Sequence, residues 1–110
     1  NSLTHLTFGY EFNQSVEKLP NSLTHLSFGQ FFDQFAYNLL KSVTHLTFWS
    51  HHKLKNSLPD NIEEITIIFY KERIEKVDNL PINLKKIKIH DLNYVNYIKV
   101  PFSCIVEKII

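Results

Sequence analysis

Apolar and polar positions along this chain follow one frame, and the frame repeats. Leu3-x-x-Leu6-x-Phe8 returns as Leu23-x-x-Leu26-x-Phe28 and as Val43-x-x-Leu46-x-Phe48. Looser copies follow in Ile62-x-x-Ile65-x-Ile67 and Leu84-x-x-Ile87-x-Ile89, and Val106-x-x-Ile109 reads as the start of a sixth. Units begin near residues 1, 21, 41, 60, 82 and 104, at intervals of 20, 20, 19, 22 and 22. Within each frame the alternation Leu-x-Phe is a period-two signal, which predicts a short strand over residues such as His5–Phe8. Leu6 and Phe8 then face inward, and His5 and Thr7 face out.

Leu19-Pro20, Leu58-Pro59, Leu80-Pro81 and Val100-Pro101 punctuate the joints; only Leu39-Leu40 lacks the proline. Proline imposes an extended backbone on the residue before it and stops a helix from running through. The return stretches carry further apolar residues, Phe12, Val16 and Leu19 in the first unit and Phe32, Phe35 and Leu39 in the second. A unit this short cannot bury its apolar face alone and must stack on its neighbours. The expected fold is mainly β: a leucine-rich-repeat-like solenoid of about five 19–22 residue units over residues 1–110, with a parallel sheet on one face. The returns leave little room for helix and are expected as irregular or 3-10 segments, with a short helical turn in FYKERIEKV. Phe8, Phe28 and Phe48 should form an inner spine, with Leu3, Leu6 and their equivalents in the layers beside it.

Stacking also lines up the outward positions. The first row reads His5, His25, His45, Glu64, Lys86, Lys108; the second reads Thr7, Ser27, Thr47, Thr66, Lys88. In a leucine-rich solenoid this surface is the inner, concave one, where partners sit. Three readings of the histidines compete. A metal site requires imidazole nitrogens converging at ~2.0–2.1 Å on one ion, whereas parallel strands space the rings along a line, and no carboxylate recurs beside them. The other two are a solvated polar row and a partner-contact row. His5, Thr7, His25, Ser27, His45, Thr47, Glu64, Thr66, Lys86 and Lys88 are the candidate partner-binding residues. No metal ligand, cofactor or catalytic residue is assigned, because no acid–base pair, phosphate loop or nucleophile constellation occurs.

Composition narrows the class. Of 110 residues, 44% are hydrophobic and 21% charged, an ordinary globular balance. The net charge of +1 exerts no bulk pull toward nucleic acid or a membrane. The strip Lys85, Lys86 and Lys88 is too short for a nucleic-acid footprint. Cys104 is the single cysteine, so no internal disulfide can form, and it reads as a buried, inert thiol. No apolar run reaches the ~18–20 residues of a membrane-spanning helix. A cytoplasmic location is expected. The chain lacks Met and an obvious polar cap at either end, which reads as a fragment of a longer protein.

LPNSLTHLSFGQFFDQ at residues 19–34 and NSLTHLTFGYEFNQSV at residues 1–16 resemble the FNIP repeat. The shared words are Leu-Pro-x-Ser-Leu-Thr-His-Leu-x-Phe-Gly-x-x-Phe-Asn/Asp-Gln. The third unit keeps KSVTHLTF, then has Trp49 at the glycine position and continues HHKLK, which reads as a degenerate loop or an exposed partner contact. The fourth and fifth units keep only the apolar frame and the proline corner. The resemblance implies a leucine-rich-repeat-like protein-interaction module. In F-box proteins of amoebae and giant viruses it implies the part of a ubiquitin-ligase receptor that selects the target. A cullin-ligase adaptor is then a partner only if an F-box lies upstream, and the location is the host cytoplasm if the source is viral. The alternative is a passive structural spacer. The asparagine ladder of ordinary leucine-rich repeats would fall at Glu11 or Phe31, and Asn13 and Asp33 are the nearest candidates for tying down that turn.

Overall fold

Alternating Leu-Thr-Phe and Ile-Thr-Ile triplets place a branched or aromatic side chain on each face of an extended backbone, and each becomes a strand. The computed structural model describes residues 3–13, 19–32, 41–52, 54, 58–72 and 74–109. Six strands form: β1 (His5–Thr7), β2 (His25–Ser27), β3 (His45–Trp49), β4 (Glu64–Ile68), β5 (Lys86–Ile89) and β6 (Ile105–Lys108). They make one parallel sheet in chain order, β1-β2-β3-β4-β5-β6. Each strand pairs with the next, so the chain is a mainly β solenoid in which one unit lays one strand.

The corners before β2, β4, β5 and β6 are built alike. Leu23, Ile62, Leu84 and Cys104 donate their backbone N–H to the carbonyls of Pro20, Pro59, Pro81 and Pro101 at 3.1–3.4 Å. Proline supplies the acceptor of a turn whose following residues need only ordinary dihedral angles. The last corner differs, with Ser103 at φ 69°, in the left-handed region disfavoured for a residue with a Cβ.

Side chains from the corner also bind the preceding unit. Ser22 Oγ donates to the Leu3 carbonyl at 2.5 Å, Ser42 Oγ to Leu23 at 2.6 Å, and Asn61 Nδ2 to Val43 at 2.7 Å. These bonds do the work expected of an asparagine ladder, but they stand before the strand and not after it. Asp33 lies outside the described residues.

The core is one continuous column. Leu23, Leu26, Phe28, Val43, Leu46, Phe48, Ile62, Ile65, Ile67, Leu84, Ile87 and Ile89 are all buried. Phe28 and Phe48 form the inner spine as expected, while Phe8 on the β1 edge is half-buried and stacks on Phe28 with centroids 5.3 Å apart. Leu3, expected in the layer beside that spine, is 40% exposed, because only one side of the edge strand is covered. Phe12 and Phe32 join from the returns, Phe8–Phe12 at 4.4 Å and Phe28–Phe32 at 4.1 Å. Val16, Phe35 and Leu39 lie outside the described residues.

Three expectations are corrected. FYKERIEKV gives turns and a bridge at Val77, with no helical turn among its described residues. The helical return falls in the fifth unit instead, a 3-10 helix Leu92–Tyr97 capped by Asp91, whose carboxylate accepts from the Asn93 N–H at 2.9 Å. The third unit does not degenerate into a loop at WSHH. β3 runs on to Trp49, and His52 occupies the place of Phe12 and Phe32. Its N–H binds the Trp49 carbonyl at 2.9 Å, as Phe12 binds Gly9 and Phe32 binds Gly29. His52 is fully buried, and its Nδ1 accepts the Trp49 N–H at 3.0 Å. In the sixth unit, Val106 pairs with Ile87 and not with Leu84. That strand is reached one residue sooner after its proline than in the fifth unit.

Candidate functional site

Sheet register decides what the outward face presents. His5 pairs with His25, His25 with His45, His45 with Glu64, and Glu64 with Lys86. The row ends on Ile105, because the shortened last unit brings Ile105 beside Lys86 where Lys108 was expected. The second row runs Thr7, Ser27, Thr47, Thr66, Lys88 and then Glu107. Together the histidines, the hydroxyls from Thr7 to Thr66, and Glu64 line a shallow groove of about 170 Å³.

The three imidazoles stack face to face. Ring centroids are 4.0 Å apart for His5–His25 and 4.1 Å for His25–His45, with interplanar angles of 12° and 13°. The residue before each histidine sets this geometry. Thr4, Thr24 and Thr44 place Oγ1 at 2.9, 2.8 and 2.8 Å from Nδ1 of His5, His25 and His45. These threonines are the site residues that outward alternation alone misses. The signal was present in the sequence as the thrice-repeated Thr-His pair.

Those hydroxyls also occupy one nitrogen of each ring. The Thr4 carbonyl already accepts from the N–H groups of Thr24 and His25 at 2.9 and 3.0 Å, and the Thr24 carbonyl from those of Thr44 and His45 at the same distances. With two lone pairs so engaged, each carbonyl holds the next threonine hydroxyl only at 3.3 or 3.4 Å. Whichever way that hydroxyl proton points, Nδ1 is engaged by its threonine, and Nε2 is the ring nitrogen turned toward other partners. Partial burial holds the His25 imidazole below its ordinary proton affinity, and the neighbouring His45 and His5 push the same way against a smaller opposing pull from Glu64.

Beyond His45 the face changes character. Glu63 replaces the orienting threonine, and Glu64 is bridged to Lys88 at 3.3 Å. Lys86 meets Glu107 at 3.5 Å and Lys85 meets Glu63 at 3.7 Å. Each lysine of the basic strip thus faces a carboxylate on an adjacent unit. Exposed pairs of this kind contribute little stability, but they cancel the strip's charge.

Other candidates fall elsewhere. Trp49 is half-buried with His51 and Tyr70 around it at 6.2 Å. His51 Nε2 donates to the Gln30 carbonyl at 3.0 Å. Cys104 is half-buried, not buried as expected, and burial pushes its thiol pKa up. Among the described residues no group of three or more His, Cys, Asp or Glu is placed to hold a metal ion. The stacked rings set their nitrogens side by side. None of the described helices is long and apolar enough to cross a membrane.

A parallel sheet laid one strand per 19–22 residue unit, with a polar outward face and an apolar column behind it, is a leucine-rich-repeat-like solenoid. The FNIP Repeat family matches residues 1–31. Among solved structures the chain is similar to CroV588, a giant-virus protein whose crystal structure is described as a novel circular LRR protein. The two are 32% identical with a TM-score of 0.55, over 80% of this chain and 17% of that one. This chain therefore spans less than a fifth of that protein's length. No curated protein matches.

Proposed function

We propose that this chain is a non-catalytic protein-recognition module and that its contact surface is the outward face of β1 to β5. The observation that carries this reading is the groove, lined by two registered rows of polar side chains on a stacked apolar core. A partner meets there a surface whose geometry is set before binding, which lowers the ordering cost of association. His5, His25, His45, Thr7, Ser27, Thr47 and Thr66 offer hydrogen-bonding groups, and Glu64, Lys86 and Lys88 bound them on one side. The FNIP resemblance supports a more specific role for the parent protein, target selection within an F-box-type ubiquitin-ligase receptor.

The test is a comparison of captured proteins. The full natural chain is immobilised beside a variant carrying Thr7→Arg, Ser27→Arg and Thr47→Arg, and both are exposed to amoebal cytosol. The wild type is expected to retain a distinct client that the variant loses, and a cullin adaptor retained equally by both supports the receptor role. Identical retention by both proteins, or retention of nothing, refutes recognition by this face and leaves the spacer.

A further inference from the structure

The histidine ladder has a chemistry of its own. Three rings stack at 4.0 and 4.1 Å, and each has its Nδ1 occupied by the preceding threonine hydroxyl. What remains for a partner is a line of three Nε2 atoms, each an N–H donor once its ring is protonated. Beside it runs a second line, the hydroxyls of Thr7, Ser27 and Thr47. Resting on the recognition role above, the geometry points to a specific class of client: an acidic peptide segment laid across β1, β2 and β3, with carboxylates accepting from the imidazole Nε2–H groups.

Charge and spacing favour this occupant. A carboxylate is acceptor-only and takes hydrogen bonds from several donors at once. The stacking intervals of 4.0 and 4.1 Å set His5 and His45 about 8 Å apart, a span that the ~6.6 Å between alternate side chains of an extended peptide reaches once the two carboxylates splay outward. Acidic residues at every second position therefore meet the two ends of the ladder. The groups facing His25 are the His5 and His45 rings, the Glu64 carboxylate and the groove hydroxyls. Glu64 is bridged to Lys88 and Lys86 to Glu107, so the row's capacity for positive charge is confined to its histidine end. That confinement sets where the segment stops. In the free protein, partial burial and the flanking His45 and His5 disfavour protonation of His25. A bound carboxylate reverses the balance, so binding takes up a proton and strengthens as pH falls.

The experiment uses the full chain and a fluorescent peptide of alternating aspartate and serine, with an alternating asparagine and serine peptide of equal length as control. Anisotropy is measured at pH 7.5 and pH 6.0 at fixed ionic strength. The acidic peptide is expected to bind about ten-fold tighter than the control or better, as bonds to a charged acceptor do. Its affinity should rise roughly three- to ten-fold between pH 7.5 and pH 6.0. His25→Gln keeps a donor near the position of Nε2 but cannot take a proton. It should keep binding at pH 7.5 within about three-fold and lose the tightening at pH 6.0. His25→Leu should lose both, with strand structure checked by circular dichroism. Equal affinity for the two peptides overturns the inference, and so does a pH response that His25→Gln leaves intact. If the acidic peptide fails while the arginine-blocked face still loses its client, this inference falls and recognition by the sheet face stands. If both fail, both fall.

Discussion

At Gly29 the first two units touch backbone to backbone. A Cβ built there would overlap the Gly9 carbonyl oxygen and lie 2.9 Å from the Gly9 carbonyl carbon, whereas one built at Gly9 meets nothing within 4 Å. Glycine in the second unit is thus a packing requirement, and the same residue in the first is not. Gly29→Ala should destabilise the chain by about 1–3 kcal/mol, the usual range for forcing extra volume into a packed site. Gly9→Ala should be neutral or stabilise slightly, by up to ~1 kcal/mol, because alanine restricts the unfolded chain. Urea titrations of the two variants decide the matter, and equal losses would refute the close approach. The third unit carries Trp49 at the matching position because its backbone continues as strand, pairing Trp49 with Ile68. Phe28 gives the complementary check on the inner face. Its ring is 2% exposed and stacks with both Phe8 and Phe32. Phe28→Ala should cost about 3–5 kcal/mol; a measured loss below about 1 kcal/mol would mean that the ring is not in the core.

Between neighbouring strands, the corners carry information that the apolar frame does not. The period-two alternation made the strands legible, since Leu6-x-Phe8 and its copies alternate strictly and a one-residue slip would turn every apolar side chain outward. Both outward rows followed from that alternation as far as Lys86 and Lys88. The sixth unit did not follow, because Val106-x-x-Ile109 fits the frame in two registers and pattern alone cannot choose. Hydrogen bonding chooses: Ile105 N–H binds the Lys85 carbonyl at 3.0 Å, which seats Val106 beside Ile87. His52 was hidden for a related reason. Read as composition, HH is polar and belongs in a loop, yet the spacing from Trp49 matches that from Gly29 to Phe32. The serine and asparagine ladder at Ser22, Ser42 and Asn61 was also missed, since a small polar residue at a joint between units looks like ordinary turn chemistry. Ser42→Ala tests it. The variant removes the bond to the Leu23 carbonyl and should lower stability by roughly 0.5–1.5 kcal/mol. Ser42→Asn, which mimics the fourth unit, should restore most of that loss. Failure of asparagine to restore it would mean that the ladder is particular to each corner and not a shared device.

Over the whole solenoid, stability is close to a sum of unit terms and nearest-neighbour interfaces, so a change confined to some units should loosen those first. Acid is such a change. Five of the six histidines, His5, His25, His45, His51 and His52, lie in the first three units, and the fifth unit holds only His90. Partial burial and the flanking His45 and His5 lower the proton affinity of His25 in the folded chain, while Glu64 opposes them. The unfolded chain therefore binds a proton at this position more readily than the folded one. Stability rises with pH wherever the unfolded state holds more protons. The contribution from His25 is complete above the ordinary histidine pKa of ~6.5 and is lost as pH falls through the lower folded value. Hydrogen exchange followed at pH 7.5 and pH 5.5, corrected for the intrinsic rate, should show β2 and β3 losing protection while β4 and β5 keep theirs. The acidic peptide inferred above should oppose the acid effect, because it favours the imidazolium form that His25 resists in the free chain. Uniform loss across all strands, or none between these pH values, would mean that the histidine row is electrostatically idle in the folded chain, and the proton-coupled binding argued for it would lose its physical basis.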